Sequence, residues 1–228
     1  MIKFSDFSHC LFESCLFHSL GDTMDICEKQ EHSYKTSKVT LKSTGQFISI
    51  DNKCLKDKNE IFSCNKSINR DLSFKKDCDG ICLLKKGDKL YFILLEMKSG
   101  YKEVSKKAFY QIIASYMKMK MILNTFPGYT PEEYKEIGFI ISYPAEEIKN
   151  EEVFENKESV MCGGFGTSIN RYDSEFRRNR EIVIHAGDFG LDKMAISKTV
   201  LIDNYKVKHL KVKEGKTEDI IDLDPYLQ

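Results

Sequence analysis

The sequence lacks any apolar run long enough to cross a bilayer. The longest two, residues 90–95 and 137–143, fall well short of the roughly 20 residues that a membrane-spanning helix needs. A secretory signal is not expected either, because charged residues interrupt the apolar positions of the first stretch. With 228 residues, of which 41% are hydrophobic and 31% charged, the chain has the composition of a globular protein with a sizeable core.

Net charge is absent too, since 35 lysines and arginines balance 35 aspartates and glutamates. This balance excludes a histone-like protein that coats nucleic acid, but it leaves open contact through one face. The charges are also unevenly distributed. Thirteen basic residues accompany six acidic ones between Lys66 and Lys120, whereas acidic residues gather at 132–158 and 214–224. We therefore expect one cationic face on a neutral protein.

None of the eight cysteines forms a Cys-x-x-Cys pair. This usage favours reduced, mostly buried thiols and a cytoplasmic location. The alternative is a zinc site made by Cys10, Cys15 and His18, with Cys27 as a fourth ligand. Its spacing is irregular, and Cys10 and Cys15 fall among the apolar positions of a helical pattern, so packed thiols are the favoured interpretation.

Apolar periodicity predicts an α/β fold with a mixed central sheet flanked by helices. Steps of three and four residues predict a helix over 4–20, followed by a loop or short helix at 21–37. Alternation predicts a hairpin with strands at 38–42 and 46–51. Later elements are a strand at 74–84, a strand at 90–98 that is apolar on both faces, a helix at 105–124 and a buried strand at 137–143. A helix at 170–180 and strands at 181–185 and 199–212 complete the predicted pattern.

Charged residues stand at the ends of the two central strands. Glu96 and Lys98 close the most apolar strand, and residues two apart on a strand share a face. The preceding hairpin brings Asp79 beside them. Buried charges must be paired or bound to a metal, and two converging carboxylates suit Mg²⁺ or Mn²⁺. Asp77 has the same parity as Asp79 and is an alternative ligand.

This arrangement resembles the PD-(D/E)XK nuclease superfamily, in which an aspartate and a Glu-x-Lys group end two neighbouring strands. The resemblance implies a restriction-endonuclease-like αβββαβ core over residues 1–145. Residues 146–228 would then form a C-terminal extension of the same domain, with extra strands and an unassigned role. Cys78 stands where the family motif has proline. The branch within the superfamily stays unassigned.

The resemblance also implies the roles of the site residues. Asp79, Glu96 and the Met97 carbonyl would ligate Mg²⁺ or Mn²⁺, with Glu13 from the first helix as a weaker candidate, and Lys98 would orient the attacking water. The enzyme would be an endonuclease or exonuclease acting on DNA rather than RNA, of the restriction or phage-defence type, working as a homodimer or with a partner subunit.

Three further polar residues fall near one face of the helix at 105–124, namely Lys107, Gln111 and Lys118. They are candidates for contact with a substrate phosphate, and an ordinary solvated helix face explains them equally well. Two other interpretations of the whole site stay open. The charged residues could be a salt-bridge cluster at a sheet edge, or the protein could be a non-catalytic binding or assembly subunit that keeps a nuclease-like core.

Overall fold

The computed structural model describes residues 17–27, 38–51, 77–98, 106–126, 129–142, 172, 175–176, 178–189, 197–213 and 218–227. The strands are β1 Phe17–Cys27, β2 Lys38–Ile50, β3 Gly80–Lys86, β4 Lys89–Lys98, β5 Tyr134–Ser142, β6 Glu181–Ile184, β7 Tyr205–Lys211 and β8 Glu218–Asp222. Helix α1 spans Lys106–Leu123, and short 3₁₀ helices occupy Pro131–Glu133, Ala186–Phe189 and Asp224–Tyr226. No helix in these ranges is both long and apolar enough to cross a membrane.

The described strands form one mixed, mostly antiparallel sheet. Its order is β1-β2-β3-β4-β5-β7-β6, and β8 pairs with β2 outside that path. β4, β5 and β7 run parallel to one another, and β8 runs parallel to β2. The predicted mixed α/β architecture is confirmed, and β6 and β7 confirm strands within the stretches predicted at 181–185 and 199–212, although β7 begins only at Tyr205. The sequence pattern does not predict β8.

The β3–β4 hairpin is confirmed, but the strand predicted at 74–84 is wrong for residues 77–79, which precede β3, and β3 extends to Lys86. Lys86 pairs with Lys89 across a two-residue turn, in which Gly87 has a φ of 57°. A glycine adopts this left-handed conformation at little cost. Residues 90–97 of β4 are all buried, because apolar clusters cover both faces of the sheet.

Helix α1 connects the parallel strands β4 and β5 and packs on one face of the sheet. Phe109, Ile113 and Met117 are fully buried there, together with Phe92 and Leu94 of β4. Burial of each such side chain contributes roughly 1.5–3 kcal/mol relative to exposure. The predicted helix at 105–124 is confirmed within a residue at each end.

The helix predicted over 4–20 is wrong for its last four residues, which belong to β1. Residues 4–16 lie outside the described part of the chain. The loop or short helix predicted at 21–37 is also wrong as far as Cys27, which ends β1. Met24 and Ile26 are buried while Asp25 and Cys27 are exposed, which is the alternation of a strand. Pairing with β2 shifts register on both sides of Gly21, whose φ is 80°, so a β-bulge accounts for the glycine.

The strands predicted at 38–42 and 46–51 are confirmed up to Ile50, but the turn predicted between them is wrong, because β2 is one continuous strand through Ser43, Thr44 and Gly45. Gly45 serves close packing here and not a turn. A Cβ atom at this position would lie 2.5 Å from the backbone oxygen of Lys85 on β3. Ser43 and Thr44 donate hydrogen bonds to the carboxylate of Asp224, which fixes the C-terminal segment to β2.

Candidate active site

The structure brings Asp79 and Glu96 to neighbouring strands at one end of the sheet. Gly80 pairs with Leu95, so Asp79 stands just before β3 and beside the Glu96 position of β4. Asp79 is exposed, and its Oδ2 atom accepts a hydrogen bond from the Met97 backbone N–H at 2.7 Å. Glu96 is fully buried. One carboxylate therefore faces solvent while the other lies beneath the surface.

Lys98 neutralises the buried carboxylate. Its ammonium group donates to Oε1 of Glu96, two residues earlier on the same face of β4. Only 13% of the Lys98 side chain is exposed, so this ion pair is shielded from solvent. An isolated carboxylate would be costly at such a position. The predicted proximity of Glu96 and Lys98 on one face is therefore realised as a direct contact.

Three polar residues on one face of helix α1 contact the residues just before β3 and the end of β4. Gln111 accepts a hydrogen bond from Lys98 Nζ at 3.3 Å, and its Nε2 donates to the Asp77 carbonyl at 2.8 Å. Ser115 Oγ accepts from the Cys78 N–H at 2.8 Å. Lys118 forms an ion pair with Asp77 Oδ1. The spacing of these residues is helical, so the same face of α1 contacts both strand ends.

Two of the three predicted phosphate contacts thus lie beside the site. Gln111 bridges Lys98 and the Asp77 backbone, whereas Lys118 is buried against Asp77 and only 3% of its side chain is exposed. The side chain of Lys107 lies outside the described part of the structure. The Asp77 Oδ2 atom is buried and has no hydrogen-bond partner among the described residues.

Cys78 has a structural role that proline could not fill. Its N–H donates to Ser115, and proline has no N–H to donate. Burial raises the pKa of the Cys78 thiol to about 12, and the negative charges of Glu96 and Asp79 raise it as well. The thiol is therefore neutral at pH 7 and is not a candidate nucleophile.

The structure gives less support to the remaining predicted metal ligands. Met97 contributes its N–H to Asp79, and its side chain packs in the apolar cluster on the opposite face from α1. Glu13 lies outside the described residues, as do Cys10 and Cys15. His18 and Cys27 stand nine residues apart on β1, about 30 Å at the usual rise per residue, so they cannot share a zinc ion.

A buried serine–histidine pair beside the site escaped the sequence analysis. Ser142 at the end of β5 lies 2.8 Å from His209 Nε2 on β7, measured from its hydroxyl oxygen. The sequence separates the two by 67 residues. The sequence feature that indicates a buried histidine is the alternation of β7, in which Tyr205, Val207 and His209 occupy the inward positions. Burial lowers the pKa of His209 to about 4, and the positive charges of Arg180 and Lys211 lower it too.

This shift predicts a loss of stability in acid. In the unfolded chain His209 titrates near its ordinary pKa of about 6.5, so the unfolded state binds more protons at pH values between about 6.5 and 4. The free energy of unfolding should therefore fall by about 2–3 kcal/mol through this residue as pH drops from about 7 to about 4.5. Urea unfolding of wild type and His209→Gln at both pH values measures it. Equal pH dependence of the two proteins would refute it.

The donor set fits a hard divalent cation. Magnesium prefers oxygen ligands and is commonly held by one or two carboxylates together with water and substrate phosphates. Asp79 and Glu96 supply two such carboxylates, and Asp77 has a buried carboxylate oxygen without a hydrogen-bond partner among the described residues. Within the described ranges, no three His, Cys, Asp or Glu side chains cluster into a metal site. The fit therefore depends on two carboxylates completed by water and substrate.

Comparisons with protein-family models, with curated proteins and with solved structures find no match to this chain.

Proposed function

We propose that this protein is a metal-dependent nuclease that hydrolyses phosphodiester bonds, with DNA as its substrate. The observation that carries the proposal is that Asp79, just before β3, lies beside the Glu96 position of β4, with Lys98 in contact with Glu96. Asp79 is held beside this ion pair by the hydrogen bond from the Met97 N–H and is exposed to solvent, where a cation can reach it. The combination matches what phosphoryl transfer needs: a site for a cation next to a charged hydrogen-bond donor.

Each residue has a distinct task in this proposal. Asp79 and Glu96 would hold Mg²⁺ or Mn²⁺, and the ion would supply positive charge against the developing charge of the phosphate. Lys98 donates hydrogen bonds from its ammonium group, so it can orient the attacking water beside the two carboxylates. Gln111 keeps the Lys98 Nζ atom in place by accepting from it while donating to the Asp77 carbonyl.

The sheet supports the same proposal. The strands β2, β3, β4 and β5 lie side by side in the sheet in chain order, and α1 connects β4 to β5. This succession is the one implied for the last five elements of an αβββαβ core. A restriction-type or phage-defence effector, acting as a homodimer or with a partner subunit, is the biological setting that the resemblance implies.

Cleavage assays test the proposal. Purified protein should cut double-stranded DNA in Mg²⁺ or Mn²⁺ and lose this activity in EDTA. Lys98→Gln should lower the rate by about a hundredfold, because the amide still donates to Glu96 but lacks the charge. Lys89→Gln, a matched change at the exposed start of the same strand, should cleave as wild type does. The proposal fails if no nucleic acid is cut, or if both variants cut equally well.

A second candidate is a non-catalytic nucleic-acid-binding or assembly subunit with a nuclease-like core. The observation in its favour is that Glu96 is fully buried and already neutralised by Lys98. The protein has a comparable internal ion pair elsewhere, where Lys120 of α1 contacts Glu136 of β5. Absence of cleavage together with absence of Mn²⁺ binding would favour this candidate.

A further inference from the structure

The segment 77–79, which carries Asp79, lies just beyond the sheet ladders that flank it. Pairing of β3 with β4 begins at Gly80, and pairing of β3 with β2 begins at Ile81. No ladder between described strands therefore fixes the main chain of this segment. A carboxylate that binds a cation has to be held in a defined place by the residues around it. For Asp79 this support comes from outside the sheet ladders.

Helix α1 holds both polar groups of the peptide bond between Asp77 and Cys78. Gln111 Nε2 donates to the Asp77 carbonyl at 2.8 Å, and Ser115 Oγ accepts from the Cys78 N–H at 2.8 Å. The carbonyl and the N–H of a trans peptide point in opposite directions, so contacts to both restrict rotation of the peptide plane. Gln111 and Ser115 are four residues apart and therefore share one face of α1. We call these two contacts the peptide clamp.

Two further hydrogen bonds connect the peptide clamp to Asp79. The Cys78 thiol donates to the Gly80 carbonyl at 3.3 Å, so this contact spans Asp79 in the chain. On the other side, the Asp79 carboxylate accepts from the Met97 N–H of β4 at 2.7 Å. Asp79 thus lies between a peptide held by α1 and a backbone group of the sheet. Rotation of the clamped peptide would move Asp79 relative to the Met97 N–H.

Ser115 supplies the half of the peptide clamp that can be removed by itself. It is fully buried, and so is the Cys78 residue whose N–H it accepts. A buried N–H that loses its acceptor is costly, so the main chain is expected to turn until this group finds a new partner. Gln111 also contacts Lys98, and its substitution would disturb two parts of the site at once. Ser115 therefore offers a change that reaches Asp79 through the main chain.

We propose that Ser115 is a positioning residue for the Asp79 carboxylate and acts through the Cys78 N–H. The inference rests on the proposed function for the cation that Asp79 would hold together with Glu96. It adds a residue that would contact neither the cation nor the substrate. Loss of a hydrogen bond that supports a metal ligand typically lowers metal affinity or activity by about 10- to 100-fold. The same loss is expected here.

Mn²⁺ affinity and one amide resonance test this role in full-length protein. Ser115→Ala removes the acceptor, and the higher helix propensity of alanine keeps α1 folded. Ala114→Gly, at a fully buried neighbouring position, weakens α1 without removing a hydrogen bond to the segment 77–79. In calorimetry without DNA, Ser115→Ala should bind Mn²⁺ about tenfold more weakly than wild type. In metal-free protein, its Met97 amide proton should move upfield as the bond to Asp79 weakens. Ala114→Gly should match wild type in both measurements.

The outcomes separate this inference from the proposed function. Wild-type Mn²⁺ affinity in Ser115→Ala, or an unmoved Met97 resonance, overturns the positioning role even if the protein binds Mn²⁺ and cleaves DNA. Equal changes in Ala114→Gly overturn it as well, because they would reflect a weakened helix. Absence of Mn²⁺ binding by wild type rejects the proposed cation site. The Met97 resonance then decides alone whether Ser115 positions Asp79, and a shift confined to Ser115→Ala supports it.

Discussion

Replacing Asp79 with asparagine should leave the fold intact and slow metal-dependent DNA cleavage by about a hundredfold or more. Asp79 is exposed, and an asparagine oxygen can still accept the hydrogen bond from the Met97 N–H. The substitution therefore removes one negative charge and little else. Since the proposal makes Asp79 one of only two carboxylates for the cation, that charge should be needed for activity. Initial rates in Mg²⁺ and in Mn²⁺ measure the effect.

Asp88→Asn is the matched control. Asp88 is exposed in the β3–β4 turn, at the far end of the hairpin from Asp79, so it undergoes the same chemical change away from the site. It should cleave at the wild-type rate. Equal rates for wild type, Asp79→Asn and Asp88→Asn would remove Asp79 from the mechanism, whatever the activity of the protein.

Replacing Lys118 with methionine should lower the free energy of unfolding by about 3 kcal/mol or more. Lys118 neutralises Asp77, and the two side chains are only 3% and 13% exposed. Methionine fills similar volume but leaves the Asp77 carboxylate buried without its counterion. The other oxygen of that carboxylate, Oδ2, has no hydrogen-bond partner among the described residues, so it offers no compensation.

Chemical unfolding in urea measures this loss, and a second substitution separates charge from packing. Asp77→Asn in the Lys118→Met background should recover most of the stability, because it removes the stranded charge. Lys85→Met, at an exposed position of β3, should change stability by less than about 0.5 kcal/mol. A Lys118→Met protein as stable as wild type would show that Asp77 is solvated or protonated without its partner.

The centre of the fold follows from local sequence patterns, and its edges do not. β3, β4, α1 and β5 contain long apolar stretches with clear period and turn residues, so their order could be predicted. β1 was missed because Gly21 and the polar residues around it resemble a loop, whereas pairing with β2 makes them a bulged strand. β2 was divided at Gly45 because the close approach of the Lys85 carbonyl cannot be inferred from sequence.

Local sequence patterns likewise predict one part of the candidate site and do not predict the other. Glu96 and Lys98 lie two residues apart on one strand, and a hairpin places Asp79 beside them, so local geometry predicts the group. The burial of Lys118 depends on Asp77, which is 41 residues away. The Ser142–His209 pair depends on β7 joining the sheet beside β5, although β6 and the 3₁₀ helix Ala186–Phe189 lie between these strands in the chain. Contacts of this kind depend on the tertiary structure and cannot be predicted from local sequence patterns.

The central claim is that Asp79 and Glu96 together hold a divalent cation. Isothermal titration calorimetry of the wild-type protein with Mn²⁺, in the absence of DNA, tests it most directly, with Asp79→Asn and Asp88→Asn measured alongside. We predict a binding site whose affinity is at least about tenfold weaker in Asp79→Asn and unchanged in Asp88→Asn. No detectable Mn²⁺ binding, or equal affinity in all three proteins, would contradict the account.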